Sequence, residues 1–133
     1  MSTFLGSENI KCSSFKKLGE KGIQFIAAGI ILCLEHLHNQ NFIYCDLKLE
    51  NVLIDVDGYP RLTDFEMCRK GGEISSDGYR GTIIYIAPDL FSQDYVNKAM
   101  DIWALGICIY FMATGEIPYD GEDVYKSDFI DKC

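Results

Sequence analysis

Asp46, Lys48 and Asn51 fall within the eight residues YCDLKLEN that open at Tyr44, immediately before the apolar run Val52, Leu53, Ile54, and a second aspartate, Asp64, closes the stretch that follows. A loop carboxylate placed like Asp46 can accept a proton from a reacting hydroxyl. Asn51 and Asp64 offer hard oxygen atoms of the kind that magnesium takes alongside phosphate oxygens and water. These groups compose a magnesium-and-base site on one condition: the fold must carry Asp64 back beside Asn51.

A hairpin meets that condition. The segment NVLIDVDGYPRLTDF, 51–65, places β-type residues on both sides of Asp57-Gly58, a favoured two-residue turn. With 57 and 58 as the loop, Val56 faces Tyr59, Leu53 faces Leu62 and Asn51 faces Asp64, and opposed residues point to one side of the ribbon about 5 Å apart. Pro60 belongs at an edge or a bulge, and a bulge shifts this register by one residue. The same DVDGY segment fails as a calcium loop, because with Gly58 at the sixth position the first ligand would be Leu53.

Two apolar helices frame the hairpin. From Glu20 to His38 the residues Ile23, Ile26, Ala27, Ile30, Leu34 and Leu37 recur at helical spacing, with Phe25, Ile31 and Leu32 extending the apolar surface nearly all round, which predicts a central helix. Gly29 inside it costs about 1 kcal/mol relative to alanine, which points to close packing there. The second helix, DIWALGICIYFMATG, runs from Asp101 to Gly115, with Pro118 beyond it as a stop. Residues 66–82, EMCRKGGEISSDGYRGT, read as a long exposed loop, and residues 1–17 carry little periodic signal.

Composition excludes several classes. The 133 residues suffice for one domain or part of one, and 48% apolar with 24% charged residues is the balance of an ordinary globular chain. The longest apolar run, from Ile102 to Ala113, falls short of the roughly 20 residues of a membrane span, and the polar MSTFLGSENIK start does not read as a signal peptide. A net charge of −8 with no basic stripe argues against a nucleic-acid partner. The acids from Glu116 onward read as a solvated face. Cys12, Cys33, Cys45, Cys68, Cys108 and Cys133 show no C-x-x-C spacing, so thiols in a reducing cytosol are expected, and with them a cytoplasmic location. His36 and His38 point to different faces of one helix and do not chelate one metal together.

Four segments, YCDLKLEN, LTDFE, GTIIYIAPD and DIWALGICIYFMATGEIPY, stand in the order and spacing of the catalytic loop, magnesium loop, activation-segment end and following buried helix of protein kinases, which the chain therefore resembles. Lys48, two residues after Asp46, resembles the serine/threonine class, and the tyrosine that opens the loop resembles the AGC group, near protein kinase C and the cyclic-nucleotide-dependent kinases. The resemblance implies an α+β, mainly α fold: part of a kinase large lobe, with a buried helix, a catalytic-loop β-hairpin, an activation segment and a second buried helix. It covers residues 20–120, leaving 1–19 as a weakly structured segment or leading helix and 121–133 as an acidic tail at the truncated lobe end. It implies that Asp46 accepts the substrate hydroxyl's proton, Lys48 steadies the transferred phosphate, and Asn51 and Asp64 hold Mg2+ of Mg-ATP. Thr82 would position Asp46 and line the substrate pocket, Asp101 would tie the second helix to the catalytic loop, and Asp89 takes the place of the glutamate in the APE motif. Taken singly, Asp46 and Lys48 read as solvated loop charges, Thr82 as a turn residue and Asp101 as a helix cap. Their joint placement favours the inherited site.

Departures from the pattern temper the activity. Kinases of this type carry arginine where Cys45 stands, to grip an activation-loop phosphothreonine, and the position resembling that threonine holds Gly78, so receptor and signal are missing together. Ser75 and Ser76 offer hydroxyls without that clamp. Glu66 replaces the glycine of DFG, restricting φ and bringing a third acid near Asp64. No G-x-G-x-x-G loop or V-A-I-K-like lysine precedes the catalytic loop. The expectation is a kinase-like fragment that is weak or inactive as the isolated chain and doubtful as a binder of Mg2+ and ATP. The alternatives are a non-catalytic pseudokinase remnant that docks on a partner kinase or on itself through exposed lobe surface, and a truncated gene product. A protein substrate or a partner kinase is the implied partner.

Overall fold

One helical stripe forms one wall of the core. The structure, a computed structural model, describes residues 10–11, 18–73, 83–87 and 95–119. Helix α1 (Glu20–Asn39) buries Ile26, Ala27, Ile30 and Leu34, the stripe that its spacing predicts. Helix α2 (Lys98–Thr114) sets Ala104, Leu105, Cys108 and Met112 against it, and Tyr44, Leu47, Leu49 and Val52 fill the space between helices and hairpin. Phe25, Ile31 and Leu32 remain on the surface, Leu32 at 64% exposure against 2% for Leu34. The expectation of a central α1, buried all round, is therefore corrected. Among the described residues its second apolar face is largely open, Phe25 alone meeting the ring of Tyr59 at 5.6 Å, because α2 and the hairpin lie mainly on the other side.

The strands are short. Antiparallel β1 (Ile10–Lys11), β3 (Val52–Ile54) and β4 (Pro60–Leu62) form one sheet with β3 central, while β2 (Phe42–Ile43) pairs with β5 (Arg69–Lys70) in a second. The pairing of β5 corrects the reading of 66–82 as a loop throughout: Arg69 and Lys70 line up with Ile43 and Phe42. Residues 74–82 of that segment lie outside the described residues. The architecture is the expected one, mainly α with a minor antiparallel β part.

Gly29 packs as its cost suggests. A Cβ built on it would stand 2.1 Å from Pro60 Cγ, so the absence of a side chain is what lets β4 lie against α1. Helix α2 begins earlier than the apolar run does. Asn97 accepts the Ala99 N–H at 2.8 Å and caps the helix, so Asp101 sits inside the first turn and is not the cap. The far end closes as expected on Gly115, left-handed at φ 78, whose N–H bonds Phe111 O at 2.8 Å.

Candidate functional site

The chain leaving β2 stays irregular until a short 3-10 turn at Leu49–Asn51, and Asp46 stands in that interval. Lys48 Nζ donates to both carboxylate oxygens of Asp46, at 3.0 and 2.8 Å. Asn51 Nδ2 donates to Asp46 Oδ2 at 2.8 Å and to the Asp46 carbonyl at 2.9 Å. Asp46, Lys48 and Asn51 are thus brought together, with Asn51 buried and its Oδ1 the atom left for a metal or another donor. Lys48 and Glu50 also border a cavity with Ile84, Tyr85, Phe111 and Ile117.

Asp101 fixes the loop from behind. Its carboxylate is 1% exposed and accepts the backbone N–H of Tyr44 and of Cys45, each at 2.9 Å. Cys45 takes a left-handed φ of 66, a conformation that costs a residue with a side chain about 1–3 kcal/mol and persists only where the surroundings impose it. The paired bonds from Asp101 supply that imposition. His38 Nε2 completes the arrangement at 2.7 Å from Asp101 Oδ2. The sequence argument missed His38, although a signal was present: His38 lies four residues after Leu34 and continues the buried stripe of α1.

The hairpin register differs from the two-residue turn. Val52 faces Leu62, Leu53 faces Arg61 and Ile54 faces Pro60, one residue off the expected pairing. The loop has three residues, 56–58, because Asp55 pairs with Tyr59: the Asp55 N–H bonds Tyr59 O at 2.9 Å, and Asp55 Oδ1 accepts the N–H of Asp57 and of Tyr59 at 3.0 and 2.9 Å. Gly58 takes the left-handed position, φ 88, that closes such a loop. The Tyr59 N–H, joined by the Arg61 guanidinium and the Asp57 N–H, holds the Asp55 carboxyl below its ordinary value. Asn51 consequently faces Thr63, whose N–H and hydroxyl both donate to Asn51 O at 3.0 and 3.2 Å. The expected direct opposition of Asn51 and Asp64 is corrected to a one-residue offset.

Tyr44 bridges that offset. It is wholly buried, its hydroxyl donates to Thr63 O, the carbonyl that precedes Asp64, and its ring meets Phe65 edge-on at 5.4 Å. Burial raises the Tyr44 phenol, and the charge of Asp46 adds to the effect. Asp64 itself is exposed and left-handed at φ 59. Glu66 is exposed and is not among the left-handed residues, so its side chain stands there without the backbone strain that its replacement of glycine suggests. Thr82, Asp89, Gly78, Ser75 and Ser76 lie outside the described residues.

Among the described residues no three His, Cys, Asp or Glu side chains are gathered to hold a metal ion. Asn51, buried, and Asp64, exposed and one residue off its facing position, each carry a hard side-chain oxygen. Such oxygens are of the type that magnesium takes together with waters and phosphate oxygens. Cys33, Cys45, Cys68 and Cys108 stand as thiols. No helix among the described residues is long and apolar enough to cross a membrane.

Comparison with known proteins agrees with this geometry. The profile of the protein kinase domain matches residues 6–132. Protein kinase C-like 1 of Caenorhabditis elegans is 41% identical over 112 residues, 80% of this chain and 16% of that protein. Protein kinase C zeta type of Oryctolagus cuniculus is 42% identical over 122 residues, 86% of this chain and 20% of that protein. The chain thus spans a fifth or less of the length of these relatives. A loop aspartate held by a lysine and an asparagine, a buried aspartate behind it, and above all a profile match over nearly the whole chain with relatives at about 40% identity lead to one conclusion: the chain belongs to the protein kinase domain family, on its protein kinase C-like, AGC side.

Proposed function

We propose that these residues carry the catalytic-loop and metal-loop portion of a serine/threonine protein kinase, which transfers the γ-phosphate of ATP to a protein hydroxyl. The family uses ATP and magnesium, and magnesium neutralises charge on the transferring phosphate when bound. Asp46 accepts the proton of the serine or threonine hydroxyl, and the Asn51 amide holds its carboxylate in register for that transfer. Lys48, ion-paired with Asp46, is placed to follow the charge that develops on the transferred phosphate. Asn51 Oδ1 and the Asp64 carboxylate are the metal ligands, and Thr82 positions Asp46. Asp101 and Asp89 act structurally.

The observation that carries this reading is the Asp46 carboxylate, gripped at 2.8 Å by both Lys48 and Asn51. Orientation and electrostatics supply nearly all catalysis in phosphoryl transfer. The 133 residues contain no G-x-G-x-x-G phosphate cover and no V-A-I-K-like lysine, so by themselves they turn over slowly or not at all. Incubation with Mg-ATP and a basic peptide is the test. Turnover within a few orders of magnitude of an ordinary kinase, abolished by Asp46→Asn, overturns the claim of inactivity. Absence of Mg-dependent nucleotide binding, with Asn51→Ala and Asp64→Ala no different from the parent chain, overturns the inherited site.

A second reading is favoured by the exposed Leu32 and Phe65, which flank an apolar groove also lined by Leu37 and Leu62. In this reading the chain is a non-catalytic module that associates with a second copy of itself. Light scattering decides it: a monodisperse monomer at high concentration counts against self-association.

A further inference from the structure

A cavity of about 320 Å3 opens beside the Asp46 loop. Its apolar walls come from separate parts of the chain: Leu49 from the 3-10 turn that follows Lys48, Ile84 and Tyr85 from a second 3-10 turn at Ile83–Tyr85, Phe111 from α2, and Ile117 from the chain past Gly115. Tyr85 and Phe111 also pack on the core, which holds both in place. Two hydrogen bonds tie the Ile84 wall to α2. The Tyr119 hydroxyl donates to Ile84 O at 2.5 Å and receives the Trp103 indole N–H at 3.3 Å.

Two charged side chains complete the lining, and neither suits the cavity to an ionic guest. The Lys48 ammonium is already paired with Asp46 at 2.8 Å, and Glu50 is solvent-exposed. A cation seated against the apolar walls would give up its water for one screened carboxylate, which is a poor exchange. An anion would meet Glu50. An apolar side chain loses no such hydration and removes its own surface and that of Leu49, Ile84, Phe111 and Ile117 from water. Lys48 touches both Asp46 and the cavity, so about one side chain's length separates them. At a rise of about 3.3 Å per residue in an extended chain, the occupant belongs within about three residues of a hydroxyl held at Asp46.

We propose that this cavity selects an apolar side chain, of leucine or isoleucine size, close to the acceptor hydroxyl of a protein substrate, with Ile84 and Phe111 as the residues that set the preference. A carboxylate at either position would turn the same cavity toward a basic side chain, so the choice depends on both being apolar. The inference rests on the phosphoryl-transfer reading for the hydroxyl, whereas the cavity itself needs neither metal nor nucleotide. It narrows the substrate class from any serine or threonine to one flanked by an aliphatic residue.

The test is binding, read at the single tryptophan of the chain. Short serine peptides in an alanine background, carrying leucine, arginine, glutamate or alanine at one flanking position at a time, are titrated into the purified 133-residue chain. The Trp103 indole N–H resonance follows the cavity wall through Tyr119. Leucine at one position is expected to bind about tenfold tighter than alanine, and tighter than arginine or glutamate there. Phe111→Glu is expected to invert the order of leucine and arginine, and Ile84→Glu carries the same expectation if the first variant does not fold. Arginine preferred to leucine by the parent chain, equal affinities throughout, or no shift with any peptide overturns the proposal. Discrimination without Mg-dependent nucleotide binding sustains the pocket and removes the reaction, while nucleotide binding without discrimination does the reverse.

Discussion

The carboxylate of Asp101, on α2, accepts the backbone N–H of Cys45 at 2.9 Å across fifty-six residues of sequence. The second oxygen takes the N–H of Tyr44 at the same distance. One side chain thereby fixes the conformation of the peptide that leads into Asp46.

Removing that acceptor leaves two buried donors unsatisfied and His38 without its carboxylate. Asp101→Ala is expected to destabilise the chain by about 3 kcal/mol, read by urea denaturation, because orphaned buried groups lose the full desolvation term. Asp101→Asn retains one acceptor oxygen and falls between. An alanine variant as stable as the parent refutes the role given to Asp101.

Gly29 and Pro60 make a sharper case. Alanine ordinarily improves a helix interior by about 1 kcal/mol, yet a Cβ at Gly29 meets Pro60 Cγ at 2.1 Å. Overpacking of this kind costs about 1–3 kcal/mol, so Gly29→Ala is expected to destabilise despite its helix propensity. Adding Pro60→Ala should recover part of the loss. Stabilisation by the single substitution would place β4 elsewhere.

Two leucines on one helix test which face of α1 is covered. Leu34→Ala empties a buried site and is expected to cost about 3 kcal/mol. Leu32→Ala, at 64% exposure, should change stability by less than about 0.5 kcal/mol. Equal losses at both positions would show that a further layer covers the second face.

Alkaline pH should weaken the fold, and the sign follows from proton binding. The Cys45 thiol rises from an ordinary 9.0 to about 12 through burial and the nearby Asp101 charge. Below pH 9 both folded and unfolded chains keep this proton, so the group contributes no slope. Between about 9 and 12 the unfolded chain gives it up first, and stability falls as pH rises, by at most about 1.4 kcal/mol per pH unit for one group. The phenols of Tyr44 and Tyr85, raised chiefly by burial, act in the same direction from a higher starting point. Denaturation midpoints between pH 8 and 11 check this, and Cys45→Ala should flatten the early part of the decline.

Local pattern carried much of the answer. The stripe Ile26, Ile30, Leu34 marked the packed face of α1, Gly115 marked the end of α2, and YCDLKLEN with LTDFE marked the loop where Asp46, Lys48 and Asn51 converge. Each signal depends on residues within a turn or two of one another, where spacing alone fixes which side chains are neighbours. Tertiary structure decided the rest. Whether the Phe25 and Leu32 face of α1 is covered depends on a layer that periodicity cannot count. The hairpin register depends on Asp55 drawing Tyr59 into a three-residue loop, a competition between two turns that differ by a few hydrogen bonds. The partnership of Asp101 with His38 and the Cys45 amide joins segments far apart in sequence, and such contacts exist only once the helices have packed and loop-closure entropy has been overcome.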